Sequence, residues 1–166
     1  MNRRGFSLIE LVVVVTIIGI LAGMVTLRFH DMMIKSNYEK EVRELHANVV
    51  RIRLSAIQRS QRTVMFFGPN QYTFKTYSSY NEPLTAGQAA GSSSYPYVLQ
   101  QLNGAVLVPL NIATNSVEFD TRGLTTNNLT LVVTPVQVNG GNNCLVINAA
   151  RTNIGRMTDA TTCTIW

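Results

Sequence analysis

The sequence predicts an α+β protein: one long N-terminal helix carrying a head of antiparallel β-structure. Three observations predict it. Residues Leu8 to Leu27 form an apolar run with a single charge, Glu10. From Arg28 to about Arg62 there is no proline, and apolar residues recur at helical spacing. Beyond Arg62 the pattern changes to short runs rich in β-branched and aromatic residues, separated by Asn and Gly clusters.

The apolar run sets the first constraint. At ~1.5 Å of rise per residue a helix of that length covers ~30 Å, the thickness of a bilayer's hydrocarbon core. A charge inside such a segment costs about 2.5–3.5 kcal/mol on insertion scales, so Glu10 needs a partner or a purpose. The basic leader, residues 1–7, resembles the start of a secretory signal, but the run after it is too long and lacks a small-residue cleavage site. A segment that inserts and stays is the alternative. Arg3 and Arg4 then hold the N-terminus in the cytoplasm, with residues 28–166 on the other side.

Through the second half of the helix, Tyr38, Val42, Leu45, Val49, Ile52 and Ala56 recur at steps of four and three and form one apolar seam. Val50, Leu54 and Ile57 fall on a neighbouring face, and Arg51, Arg59 and Arg62 gather on the side left over. A helix apolar on two faces can pack on its own domain with one and on a neighbouring subunit with the other. The other reading is that both faces are covered within the chain. Continuous with residues 8–27, this is one helix of more than fifty residues, which suits a filament subunit or coiled assembly.

Thr63–Phe67 and Gln71–Tyr77 flank Gly68-Pro69-Asn70 and predict a hairpin. Residues 78–96, rich in Ser, Gly, Ala and Tyr without periodicity, read as a long surface loop. Further strands are expected at Ala105–Val108, Ser116–Phe119, Leu129–Val133, Cys144–Asn148 and Ile154–Met157, with breaks such as Asn139-Gly140-Gly141-Asn142-Asn143. The sheet is expected to pack on the upper half of the helix.

Charge and chemistry narrow the function classes. The formal net charge is +5 over 166 residues, yet the head from residue 63 onward is balanced. There Lys75, Arg122, Arg151 and Arg156 face Glu82, Glu118, Asp120 and Asp159. The basic excess belongs to the helix, which weakens any argument for nucleic acid from overall charge. His30 and His46 lack zinc-protease spacing, and no phosphate-binding loop, nucleophile elbow or dinucleotide fingerprint occurs. Glu118 and Asp120 alternate on a strand and share a side, the minimum for a carboxylate pair, but with no metal spacing or pocket beside them a solvated strand face accounts for them better. No enzyme, cofactor or metal site is expected. In an exported chain, Cys144 and Cys163 as the only cysteines read as one disulfide with one possible connectivity, worth about 3 kcal/mol. Two free thiols are the other reading.

Arg4-Gly5-Phe6 followed by Ser7-Leu8-Ile9-Glu10 and the run to Leu21 resembles the class III signal of type IV prepilins and type II secretion pseudopilins. The resemblance implies a pilin-like fold and cleavage of the leader, residues 1–5, by a prepilin peptidase between Gly5 and Phe6. Phe6 would then be N-methylated, and the mature charge falls to +3 apart from the termini. Residues 6–27 would serve as transmembrane and filament-core helix, 28–62 as amphipathic upper helix, and 63–166 as the head. Glu10 would pair with the Phe6 amine of an adjacent subunit and set the axial register. Many major pilins carry a proline further along this segment, where the present chain has Met24-Val25-Thr26-Leu27.

Shorter patches resemble the GspH/FimT family: Glu44 to Arg59, Arg62-Thr63-Val64, Phe119-Asp120-Thr121-Arg122-Gly123, Val146-Ile147-Asn148 and Gly155-Arg156. That family implies a minor pilin or pseudopilin near the filament tip that helps prime a type IV pilus or a type II secretion pseudopilus. Its partners would be other pilin subunits, and its location the bacterial inner membrane, single-pass, with the head periplasmic. Some members bind DNA through a basic Gly-Arg-x-Arg element. The matching positions here read Gly155-Arg156-Met157-Thr158, leaving Arg156 and nearby Arg151 as the DNA-contact candidates. A DNA-binding minor pilin is thus the second reading, and an unrelated single-pass anchored domain the third.

Overall fold

The computed structural model describes residues 7–136 and 141–165, with the side chains of 24–31 also set aside. It divides into two compact units, Met1–Ser36 and Asn37–Trp166. The first helix, α1, spans Leu8–Arg59 and ends three residues before the expected Arg62. Its stop is a Schellman turn. Gln61 N donates to Ala56 O and Ser60 N to Ile57 O, both at 3.1 Å, and Ser60 takes the left-handed conformation at φ 50°. The turn satisfies two of the carbonyls that a helix end otherwise leaves open.

Ten strands follow: β1 (Arg62–Phe67), β2 (Gln71–Tyr77), β3 (Gln88–Ser94), β4 (Val98–Asn103), β5 (Val106–Pro109), β6 (Ser116–Phe119), β7 (Leu129–Thr134), β8 (Cys144–Ile147), β9 (Thr152–Met157) and β10 (Cys163–Ile165). They form a four-stranded sheet, β3-β2-β1-β6, and a six-stranded sheet, β10-β9-β8-β7-β4-β5, with every pairing antiparallel. The expected hairpin is β1–β2, with Arg62 opposite Tyr77 and Phe67 opposite Tyr72.

The predicted seam is the part of α1 that enters the core. Tyr38, Val42, Leu45, Val49, Ile52 and Ala56 are all buried. Opposite alternation buries Leu99, Leu131, Val133, Leu145 and Ile147 on one face of the six-stranded sheet. The helix is tied to both sheets by polar contacts. His46 Nε2 donates to Thr152 O at 3.0 Å, which puts the proton on that nitrogen. Arg53 Nη2 donates to Asn148 O at 3.0 Å while its guanidinium lies 5.0 Å from the Phe119 ring centre. Burial lowers the Arg53 pKa, since no carboxylate among its described contacts offsets the lost hydration. A second, smaller cluster of Val132, Cys144 and Met157 lies on the other face of the six-stranded sheet.

Three expectations need correcting. Residues 78–96 are not one loop, because β3 occupies Gln88–Ser94 and pairs with β2. Its Ala, Gly and Ser residues have poor strand propensity, and the ladder to β2 makes the strand despite them. The Phe74 ring lies over Gly91, where a Cβ would come within 2.6 Å of it. Arg62 is not on the helix but opens β1, where it binds Glu118 through both oxygens at 2.7 Å. Strands β4 and β10 were not anticipated, since their boundaries carry weak turn signals and β10 has three residues.

One carboxylate in the helix predicts a measurable pH effect. Burial raises the Glu41 pKa above the ordinary glutamate range, and the neighbouring Glu44 charge adds to it while Lys40 partly offsets it. A carboxyl with a raised folded pKa contributes fully below its unfolded pKa, and that contribution is lost as pH rises through the folded value. Glu41→Gln is therefore expected to stabilise the fold at pH 7 by less than about 1 kcal/mol, solvent screening included. Urea titrations should show the gain vanish below pH ~4, where both states are protonated. An equal gain at both pH values would contradict the electrostatic origin.

Candidate functional site

The first unit holds the residues that the resemblance singles out. Gly5 and Phe6 lie outside the described residues. Glu10 stands in the first turn of α1, where the unpaired N–H groups of the helix start favour a negative charge. Leu11 N donates to Ser7 O at 3.3 Å to open the helix. Around Glu10 the surface is apolar and uncovered: Leu8 is 82% exposed, Ile9 71% and Leu11 61%. The same exposure continues through Val12 to Leu21. Thr16 does not break this character, because its hydroxyl donates to Val13 O at 2.8 Å within the helix. Glu10 is thus the one ionisable group in an uncovered apolar stretch. Among the described residues no helix is long and apolar enough to cross a membrane. The apolar run read in the sequence, Leu8–Leu27, passes beyond Gly23 into positions whose side chains are not described.

The second unit holds the remaining candidates. Cys144 and Cys163 form a disulfide. It joins β8 to β10 across the intervening β9, and it crosses at Gly155, which pairs with Cys144 on one side and Ile165 on the other. A Cβ on Gly155 would stand 2.8 Å from Cys163 Sγ, 3.1 Å from Cys144 Sγ and 2.7 Å from Thr164 O. Glycine at this position is what lets the bridge pass. The resemblance pointed to Gly155, but not to this steric role. A glycine in a strand between two flanking cysteines was the available signal.

Arg151 and Arg156 are not brought together. Arg151 is exposed in the turn before β9, and Arg156 is near the end of that strand, opposite Thr164. Five residues of extended chain place them ~16 Å apart. Glu118 and Asp120 also part company. Glu118 is the partner of Arg62, whose Nη1 also donates to the carbonyls of Tyr80 and Glu82 at 3.1 and 2.8 Å. The Arg62 guanidinium lies 4.8 Å from the Tyr77 ring centre, and the hydrogen bond to Glu118 raises its pKa against the opposing effect of burial. Asp120 follows β6 and closes a turn. Burial opposes its ionisation, but the N–H groups of Leu124 and Arg122 and the Arg122 side chain outweigh it and hold the carboxyl below its usual range. Both carboxylates are occupied in holding loops. No group of His, Cys, Asp and Glu able to hold a metal occurs among the described residues.

Comparisons with known proteins bear on the N-terminus and on the fold. Residues 1–26 match the prokaryotic N-terminal methylation motif. No curated protein sequence matches the chain. Among solved structures, the chain is similar to the type IV minor pilin FimU of Pseudomonas aeruginosa, with a TM-score of 0.53 at 10% identity. The similarity covers 78% of this chain and 93% of that one. At that identity the likeness speaks for the fold, and the motif for the N-terminus. The chain thus joins a prokaryotic N-terminal methylation motif to the fold of a type IV pilin subunit.

Proposed function

We propose that the protein is a minor pilin or pseudopilin: a structural subunit, not an enzyme, held in the bacterial inner membrane and assembled into a filament. One observation carries this reading. A methylation motif over residues 1–26 leads into a helix whose apolar side chains from Leu8 to Leu21 are uncovered in the single chain. An apolar surface of that kind needs lipid before assembly and other helices after it. The leader, residues 1–5, is removed between Gly5 and Phe6 by a prepilin peptidase, and Phe6 is methylated. Residues 6–27 are the membrane and filament-core segment, and the head is periplasmic. The FimU likeness supports a minor pilin, and the GspH/FimT-like patches are the ground for reading it as a subunit near the filament tip that helps prime assembly of a pilus or a type II secretion pseudopilus. Mass spectrometry of the mature protein tests the reading at its root. The expected N-terminus is methyl-Phe6, and a chain that retains Met1–Gly5 in cells with an active peptidase overturns it.

DNA binding is the less supported reading. The separation of Arg151 from Arg156 leaves few cations to share a phosphate run, so any affinity would be weak and would fall steeply with salt.

A further inference from the structure

Strand β3 is the terminal strand of the four-stranded sheet, so its outer edge has no ladder partner among the described residues. Open edges invite another strand, and proteins usually blunt them with charge, proline, bulges or extreme shortness. Of these β3 has only one bulge, near its start. The strand is seven residues long, uncharged and free of proline, and all of it but Ser93 is exposed. The one irregularity is a register shift at Phe74/Lys75, which leaves Ala90 out of the pairing and Gly91 to Ser94 in regular register.

Beside this edge lies a groove of about 390 Å³ between α1 and the sheet. Its floor is the β2 face that carries Tyr72, Phe74 and Thr76, continued by the small residues of β3. Its wall is a polar stripe of α1: Glu44, Asn48, Arg51, Ser55 and Arg59. At ~100° per residue these five fall within about 80° of arc, so they form one face turned to one groove. A strand added to β3 would point alternate side chains into the groove, towards that face.

The charges define what fits. The wall carries one carboxylate, Glu44, at its N-terminal end and two guanidinium groups, so its charge is net positive. Arg51 and Arg59 are both exposed, and eight residues of helix separate them by ~12 Å. Side chains four apart on an extended strand share a face and stand ~13 Å apart. Two carboxylates at that spacing match the rise between the two arginines, each of which binds a carboxylate by charge-assisted hydrogen bonds. This chain has no two acidic residues four positions apart, so a second copy cannot supply the pattern.

We propose that the β3 edge and the α1 groove form a docking site for an extended acidic segment of a different protein. The segment adds to the four-stranded sheet as a fifth strand, and Arg51 and Arg59 select carboxylates four residues apart. Backbone pairing at the edge supplies affinity and the groove supplies specificity. The site lies wholly within Asn37–Trp166 and does not depend on how the N-terminal helix assembles.

The test uses the full chain in detergent micelles and a seven-residue threonine–valine peptide with glutamates at its second and sixth positions. Amide hydrogen exchange should slow across Gln88–Ser94 when this peptide is added. The same peptide with lysines should bind at least ~10-fold more weakly. The double variant R51E/R59E should reverse that preference, and R51Q/R59Q should remove it. Both arginines are exposed, so thermal melts of the variants should match the parent. Equal binding of the two peptides, protection that falls outside β3, or protection by a single-stranded DNA oligomer and not by the peptide would each overturn the proposal.

Discussion

Replacing Glu10 by leucine is expected to leave the protein in the membrane and keep it out of filaments. The two effects have opposite electrostatic signs, which makes the result informative. Removing a carboxylate from an apolar span relieves insertion cost, at most the ~2.5–3.5 kcal/mol that applies at the centre of a span, so the variant should enter the bilayer at least as well as the parent. Assembly is different. If Glu10 meets the Phe6 amine of a neighbouring subunit, deleting one member leaves the other charge buried and unpaired, at about 3–5 kcal/mol. Each 1.4 kcal/mol is a factor of ten, so incorporation should fall more than ~100-fold. Immunoblots of sheared filaments against membranes measure the ratio. A Gly5 variant that blocks leader cleavage never exposes the Phe6 amine and should show the same loss. Normal incorporation of the leucine variant would sink the register role of Glu10 while leaving the processing motif untouched.

The second large effect is expected at Gly155. Here a valine would collide with both sulfurs of the disulfide and with the Thr164 carbonyl, all within 3.1 Å of its first side-chain atom. None of these can give way cheaply, because the sulfurs are bonded to each other and Thr164 belongs to the paired strand β10. Overpacking in well-packed interiors costs about 1–3 kcal/mol, and a clash with backbone and a fixed cross-link should reach the upper end or exceed it. Thermal unfolding should therefore drop by on the order of 10 °C. A cycle with Cys144→Ala/Cys163→Ala tests the cause. With β10 released, Gly155→Ala should cost visibly less than it does in the bridged protein. Strict additivity would mean that the crossing is not what demands glycine.

What was legible in the sequence follows from how strongly each pattern is constrained. The seam from Tyr38 to Ala56 could be read residue by residue, because six apolar positions at helical spacing allow few other arrangements. The β1–β2 hairpin was equally readable, since Gly68-Pro69-Asn70 punctuates two aromatic, β-branched runs. β3 was not, because its strand character comes from β2 and from the Phe74 ring over Gly91, not from its own residues. Arg62 was misplaced for a related reason. Helical phase carried on past Arg59 puts it among the other arginines, and only the Schellman turn at Ser60 and Gln61 moves it to a strand facing Glu118. Of the candidate residues, Glu10 and the cysteines were visible because each is an isolated chemical type in its surroundings. The groove between α1 and the sheet, with Arg51 and Arg59 on its helix wall, was invisible because its floor includes β3, which the sequence did not reveal as a strand.

The seam has one more consequence. Its steps of four and three repeat every seven residues, from Tyr38 to Leu45 to Ile52 and from Val42 to Val49 to Ala56. An α-helix completes slightly less than two full turns in seven residues, so a seven-residue stripe drifts by about 20° per repeat. From Tyr38 to Ile52 the buried line therefore winds around the helix by about 40°, with left-handed sense. In a coiled coil that drift is absorbed by supercoiling of a second helix. Here the surfaces that receive it are sheets, whose neighbouring strands already rotate by roughly 20–25° each. The left-handed drift of the seam is thus received by surfaces that are themselves twisted, and not by a second helix.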